Sequence, residues 1–208
     1  MARRPTPHPL LERSGERRDQ VIDDLVDLFL AEGFQTFSME ELAKRLKCSK
    51  TTLYLVAASK EQIVVTTVRA FFRMAASRIE ARVASSGDVR ERISVYLDAV
   101  ARELQPASPK FYADVNDFGP ANQVYRENTF VAAQRVQDLV NEGVAAGALR
   151  PVNAEFVGAA VGQVMTAIQS GAIEAATNED DASSYRQLAD LVIAGIAEPT
   201  DRSGPNRL

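Results

Sequence analysis

The chain has 208 residues, 24 Lys+Arg against 28 Asp+Glu, and 46% hydrophobic side chains. That is material for one or two globular domains with a real core. One cysteine (Cys48) and one histidine (His8) leave no internal disulfide, no multi-cysteine zinc site and almost no histidine-based catalysis, so neither metal, cofactor nor enzymatic activity is expected.

The net charge of -4 is unevenly spread. Residues 1–60 carry ten basic and nine acidic side chains, a net +1, while residues 61–208 carry fourteen and nineteen, a net -5. From Leu42 to Lys60 there are five basic residues (Lys44, Arg45, Lys47, Lys50 and Lys60) and no acidic one. Such a strip suits a surface that faces an anion; the alternative is a solvated face that happens to be basic. The N-terminal arginines are followed by prolines, not by an apolar stretch of signal-peptide length. The most apolar stretch, Phe156 to Ala176, is interrupted by Gln163, Thr166, Gln169, Ser170 and Glu174. No membrane span and a cytoplasmic location are therefore expected.

Residues 1–13 read as a flexible basic tail. The first periodic segment is Arg17 to Glu32, with Ile22, Leu25, Val26 and Phe29 on one helical face and Gly33 as its C-cap. Ser38-Met39-Glu40-Glu41 spells a capping box opening a short helix over 39–46, with Leu42, Ala43 and Leu46 inward. Ser49 caps a second short helix over 49–54. Ser59-Lys60-Glu61-Gln62 is a further capping box, opening a long helix over 60–84 that Ser85-Ser86-Gly87 stops. Helices are then expected near 88–105, 109–118, 121–146, 153–176 and 183–197, separated by Pro- and Gly-bearing breaks. The fold class is all-α, with about nine helices and no sheet, and 199–208 reads as a second flexible tail.

Two short helices around a tight turn, preceded by a longer helix, describe a helix-turn-helix, whose second helix enters the major groove. In Ser49-Lys50-Thr51-Thr52-Leu53-Tyr54, Leu53 points inward and Lys50, Thr51 and Thr52 outward, toward base edges or phosphates. Tyr54 sits where a phenol can donate to a phosphate, and Lys60 lies at a helix N-terminus where its charge and free N–H groups converge. With Lys47 in the turn and the two caps, the DNA-facing set is Ser38, Lys47, Ser49, Lys50, Thr51, Thr52, Tyr54 and Lys60. Arg3, Arg4, Arg13, Arg17 and Arg18 read either as a DNA-contacting arm or as a solvated tail.

Residues 17–66 resemble the TetR family of bacterial transcriptional regulators. The resemblance is carried by Gly33-Phe34, Ser38, Leu42-Ala43, Ser49 with Thr52-Leu53-Tyr54, and Ser59-Lys60-Glu61, in the family's order and spacing. The chain departs from it at the turn, where Leu46-Lys47-Cys48 replaces Ala-Gly-Val, and at Val56-Ala57 after Tyr54. Lys47 stands where a positive φ favours glycine, and Cys48 reads as a buried small hydrophobe.

The resemblance implies a DNA-binding domain over 14–66 and a helical ligand-binding and dimerisation domain over 67–198. It implies a homodimer on a palindromic double-stranded operator, acting as a repressor released by a small-molecule effector of apolar character. Candidate ligand contacts are Tyr96, Phe111, Tyr112, Phe118, Tyr125, Phe130 and Met165, with Asn116, Gln123, Gln163 and Gln169 as polar anchors; a single aromatic at such a position is more often plain core. The helix at 153–176 is rich in small residues (Gly158, Ala159, Ala160, Gly162, Ala167, Gly171, Ala172). With the helix at 183–197 it suits half of a four-helix dimer interface, or close packing within one chain. Two other readings stay open: a helical enzyme or carrier using Asp114, Asp117 and Glu127, and an interaction module that has lost DNA binding.

Overall fold

The computed structural model describes residues 9–89 and 91–197. Arg3, Arg4, His8 and the expected tail at 199–208 lie outside the described residues. Among the described residues the chain forms ten α-helices and no strand, with one isolated antiparallel bridge between Leu149 and Ala197. In order they are α1 (Pro9–Glu32), α2 (Met39–Arg45), α3 (Lys50–Leu53), α4 (Lys60–Ser85) and α5 (Arg92–Leu104). Then follow α6 (Pro109–Asp117), α7 (Gly119–Ala145), α8 (Ala154–Gln169), α9 (Ala172–Thr177) and α10 (Asp181–Ile196).

Three elements differ from the sequence reading, each for a local reason. Helix α1 begins at Pro9, so residues 9–13 belong to it and not to a tail; proline's missing N–H costs nothing in a first helical turn. By the same rule Pro120 sits inside the first turn of α7, where a break was expected. The single helix expected over 153–176 is two, which raises the count from about nine to ten. Gly171 adopts φ +73°, a left-handed conformation that ends the α8 ladder, so it is a terminator and not part of a small-residue face.

The helices make two compact units. The first comprises residues up to Ala76 together with Pro106–Glu127; the second comprises Ser77–Gln105 and the chain from Asn128 onward. Helices α4 and α7 thus each run from one unit into the other, and the boundary expected at 66 falls inside the first unit.

In the first unit, α1 buries Val21, Ile22, Leu25, Val26, Phe29 and Leu30, the stripe its 3.6-residue period dictates. Leu42 and Ala43 of α2, Leu53 of α3, and Ile63, Val64 and Val68 of α4 complete that core. An aromatic run continues it: Phe34 packs edge-on against Phe111 and Phe118, Phe111 against Phe71, and Phe72 stacks on Tyr125 at 5.1 Å between centroids. In the second unit, α10 packs on α5 and α8. A β-carbon on Gly158 of α8 would approach Gln137 Cβ to 2.9 Å, which measures how closely α8 lies on α7.

Inside the second unit three buried polar side chains join in one cluster. Thr129 and Gln169 hydrogen-bond at 2.8 Å, and Gln169 Nε2 reaches the Tyr185 hydroxyl at 3.4 Å. Asp181, in the first turn of α10, is pushed up to about 6 by burial, with the nearby charges of Glu174 and Asp180 adding to the shift. Its folded-state pKa therefore lies above the ordinary 3.8. The folded chain binds the proton more tightly, so above about pH 6 the ionised carboxylate weakens the fold. Asp181→Asn is expected to raise the melting temperature at pH 8, with a gain that shrinks as pH falls through about 6. A calorimetric pH series checks this; an equal gain at both ends of the series would contradict it.

Candidate nucleic-acid interface

The α2–α3 pair is built almost entirely by its caps. Ser38 Oγ accepts the Glu41 N–H at 3.2 Å while Glu41 accepts the Ser38 N–H at 2.7 Å, so the capping box is complete. These bonds hold the Glu41 carboxyl below its ordinary pKa. Helix α2 ends in a Schellman turn: Cys48 N–H donates to Ala43 C=O at 2.9 Å and Lys47 N–H to Lys44 C=O at 3.3 Å. The left-handed residue of that turn is Lys47, at φ +49°, as the sequence comparison with Ala-Gly-Val suggested. Cys48 is half-buried, not fully buried, and desolvation pushes its thiol pKa up.

Ser49 then caps α3, accepting the Thr52 N–H at 3.1 Å, and its hydroxyl shares a 2.9 Å bond with that of Thr52. Helix α3 proper is only Lys50–Leu53; a tighter turn carries the chain on, with Leu55 N–H to Thr52 C=O and Val56 N–H to Leu53 C=O. Leu53 and Val56 are buried, so Thr51 and Tyr54 project from the opposite side, Tyr54 at 51% exposure. Lys47 and Lys50 are exposed as well. Lys47, Lys50, Thr51 and Tyr54 therefore form the outward set. The Ser38, Ser49 and Thr52 oxygens are first of all structural, occupied in caps.

The acid-free strip of the sequence is not acid-free in space. Lys50 forms an ion pair with Glu40 of α2, and Arg45 one with Glu32 of α1. Both pairs are about half exposed, where such contacts are worth little and yield readily to a phosphate. Lys60 has a partner too, its ammonium donating to Gln35 C=O at 2.8 Å. The box expected at Ser59–Gln62 is half formed: Ser59 Oγ accepts the Gln62 N–H, but Gln62 Oε1 takes the N–H of Ala58, not of Ser59.

The turn between α1 and α2 is held from α6. Gly33 adopts φ +73°, and a β-carbon there would collide with the Asp114 carboxylate and the Lys110 side chain. That carboxylate accepts the N–H groups of both Phe34 (2.5 Å) and Gln35 (2.9 Å) and pairs with Lys110 Nζ at 2.6 Å. Burial alone would raise the Asp114 pKa, but the two backbone N–H groups and the Lys110 ammonium outweigh it and hold the carboxyl below its ordinary value. Gln35 Nε2 also donates to Asp114 C=O at 3.2 Å. A cleft of about 250 Å³ opens beside this turn, lined by Phe34, Gln35, Lys60, Glu61, Val64, Asp117 and Phe118. Neither Gln35 nor this use of Asp114 is visible in the sequence, where the pairing partners lie 79 and 80 positions apart.

Residues 21–66 match the family described as bacterial regulatory proteins, tetR family. The chain carries a TetR-family DNA-binding domain. A curated relative, the HTH-type transcriptional regulator TcmR of Streptomyces glaucescens, is 26% identical over 85 residues, 41% of this chain and 38% of TcmR. Among solved structures, a transcriptional regulator from Saccharomonospora viridis in complex with choline superposes with a TM-score of 0.68 at 18% identity, covering 88% of this chain and 99% of that one. A TetR transcription regulator from Haloarcula marismortui gives 0.69 at 14% identity, covering 88% and 100%. Reduced NemR from E. coli gives 0.68 at 17%, covering 88% and 99%. At these identities the structures show a shared TetR-like fold.

The ligand candidates are divided between the two compact units. Phe111, Tyr112 and Tyr125 join the aromatic run of the first unit, and Phe118 lines the cleft there. Tyr96, Met165 and Gln169 are buried in the second unit, Tyr96 donating to Ala132 C=O at 3.4 Å. Phe130 and Gln163 face solvent, against expectation: Thr129, Ala132 and Val136 mark the buried stripe of α7, and Val161, Met165 and Ile168 that of α8. Asn116 and Gln123 are exposed too, Gln123 bonding Glu127 at 2.9 Å. The three carboxylates of the enzyme reading have separate employments: Asp114 in the turn, Asp117 at the cleft, Glu127 with Gln123.

Lys47 combines a strained backbone with an outward charge on this TetR-type domain. Lys47→Gly is expected to stabilise the chain by about 1 kcal/mol, since a left-handed conformation costs roughly that much for a residue with a β-carbon. The same change should weaken DNA binding and flatten its salt dependence by about one phosphate contact. Urea unfolding and fluorescence anisotropy across salt measure the two effects.

Proposed function

We propose that the chain is a homodimeric transcriptional repressor that binds a palindromic operator through α3 and is released from it by a small apolar effector. The observation that carries the DNA-binding half of this reading is the face of Lys47, Lys50, Thr51 and Tyr54. These side chains stand outward from a capped α2–α3 pair whose inward residues are buried. Lysine, threonine and tyrosine there offer cationic, hydroxyl and methyl contacts to phosphates and base edges.

Dimerisation is supported by exposed apolar side chains on α8 and α10. Phe156 and Leu191 are each 72% exposed, and Ala159, Ala160 and Ala194 lie beside them in sequence on exposed positions. A palindromic operator would require the two α3 helices of such a dimer to stand about 34 Å apart, one turn of DNA. The effector reading rests on the aromatic side chains of α6 and α7, where an apolar ligand would find partners. Binding would favour a state whose α3 helices no longer match successive grooves. An interaction module without DNA binding is the reading that the experiment must separate from this one.

Fluorescence anisotropy on the DNA upstream of the chain's own gene, against scrambled DNA and across salt, tests the proposal. Sequence-dependent binding is expected, with Lys50→Ala costing about 1–3 kcal/mol and Tyr54→Phe weakening it less. If a genome-wide selection for bound fragments also comes back empty, the repressor reading fails. Leu191→Glu is expected to shift the chain from dimer to monomer in sedimentation and to reduce operator affinity with it.

A further inference from the structure

The peptide of Gln35 is gripped on every side. Its N–H goes to the Asp114 carboxylate, its C=O to the Lys60 ammonium, and its side-chain amide to the Asp114 carbonyl. The preceding N–H, that of Phe34, goes to the same carboxylate oxygen. Phe34 itself is buried, packed against Phe29, Phe111 and Phe118. Ser108, just before α6, adds a bond from its N–H to Leu30 C=O at 2.8 Å. Two residues that lie far apart in the chain, one in α6 and one at the start of α4, thus set the path by which α1 passes into α2.

That path matters because α2 and α3 are held on their exposed side by half-exposed ion pairs, Arg45 with Glu32 and Lys50 with Glu40, which contribute little. The two helices are seven and four residues long, too short to hold an orientation by their own hydrogen bonds. Their aim is set by the buried residues beneath them and by the turn through which they are entered. A carboxylate accepting two consecutive backbone N–H groups makes short, charge-assisted bonds, stronger than neutral ones. Gly33 leaves the space into which that carboxylate fits.

We infer that Asp114 is a positioning residue for DNA recognition: from α6 it fixes the Phe34–Gln35 turn and thereby the aim of α2 and α3. This rests on reading α3 as the recognition helix. Asp114 touches no DNA; it acts through the two amides it accepts. An α6 that withdraws the carboxylate frees the turn, so the same contact is where operator affinity can be adjusted from α6.

The test uses the full-length chain, a DNA duplex selected from random sequence by the wild-type protein, and the same duplex scrambled. Asp114→Asn keeps an oxygen for the two amides but removes the charge; Asp114→Ala removes both. The expected result is a loss of about tenfold or more in affinity for the selected duplex, with binding to scrambled DNA and the helical circular dichroism unchanged. Faster hydrogen exchange at the Phe34 and Gln35 amides should accompany it. A variant that is merely less folded would lose both affinities in proportion. That result, or an unchanged affinity for the selected duplex, overturns the inference. If Asp114→Ala fails to fold, Asp114→Asn and Lys110→Met, which spares the carboxylate but removes its ion pair, decide the matter by the same two affinities. A wild-type protein that selects no duplex would remove the regulator reading itself, and the inference with it.

Discussion

Gly33 and Phe34 are buried, and backbone N–H groups taken out of water must find acceptors. The Gly33 N–H stays on the Phe29 C=O of α1, while those of Phe34 and Gln35 go to one carboxylate on α6, neutralised in turn by Lys110 one helical turn earlier. This arrangement explains several features that look unrelated along the chain. It explains why a glycine stands at 33, where a side chain would collide with the carboxylate and the backbone is left-handed. It explains why α6, which follows the long α4 and α5, belongs to the same compact unit as α1 to α3. It also gives Lys60 an internal partner, so one of the cations of the basic strip serves the fold before it serves DNA.

The recognition surface shows a tension between stability and contact. A glycine at 47 would satisfy the Schellman turn at no strain, and the chain has a lysine there. Strain of this kind persists where the surroundings over-determine the backbone, and it collects at functional positions. The Glu40 and Glu32 carboxylates temper the same surface by pairing with Lys50 and Arg45. Exposed pairs of that type contribute little to folding and open when a denser anion arrives.

The second unit is organised differently. Its interior holds a small polar cluster of Thr129, Gln169 and Tyr185, and burial pushes the phenol pKa values of Tyr96 and Tyr185 up. Glu103, itself nearly buried, takes two arginines of α4, Arg78 at 2.7 Å and Arg82 at 3.8 Å. Arg135 bridges Glu80 and Glu142. Paired charges and satisfied hydroxyls specify one arrangement of helices, because the alternatives would leave a buried group without a partner.

By itself the sequence determined what depends on neighbours within a turn or two. The 3.6-residue stripes, the Ser38 box, the Ser49 cap and the left-handed site at 47 were all legible, since each is a pattern over three to eight positions. So was the family of the DNA-binding segment, because its motif is a set of short-range caps and inward residues in fixed order. Helix ends failed where proline entered a first turn or glycine closed a helix early, two signals that read alike as breaks. Only the tertiary structure decided which side chains share a site. It placed Asp114 against Phe34 and Gln35, put Glu40 beside Lys50 within a strip that looked free of acid, and turned Phe130 and Gln163 outward. Those outcomes depend on residues far apart in the chain and on which face of a helix is covered. Local periodicity carries no information about either.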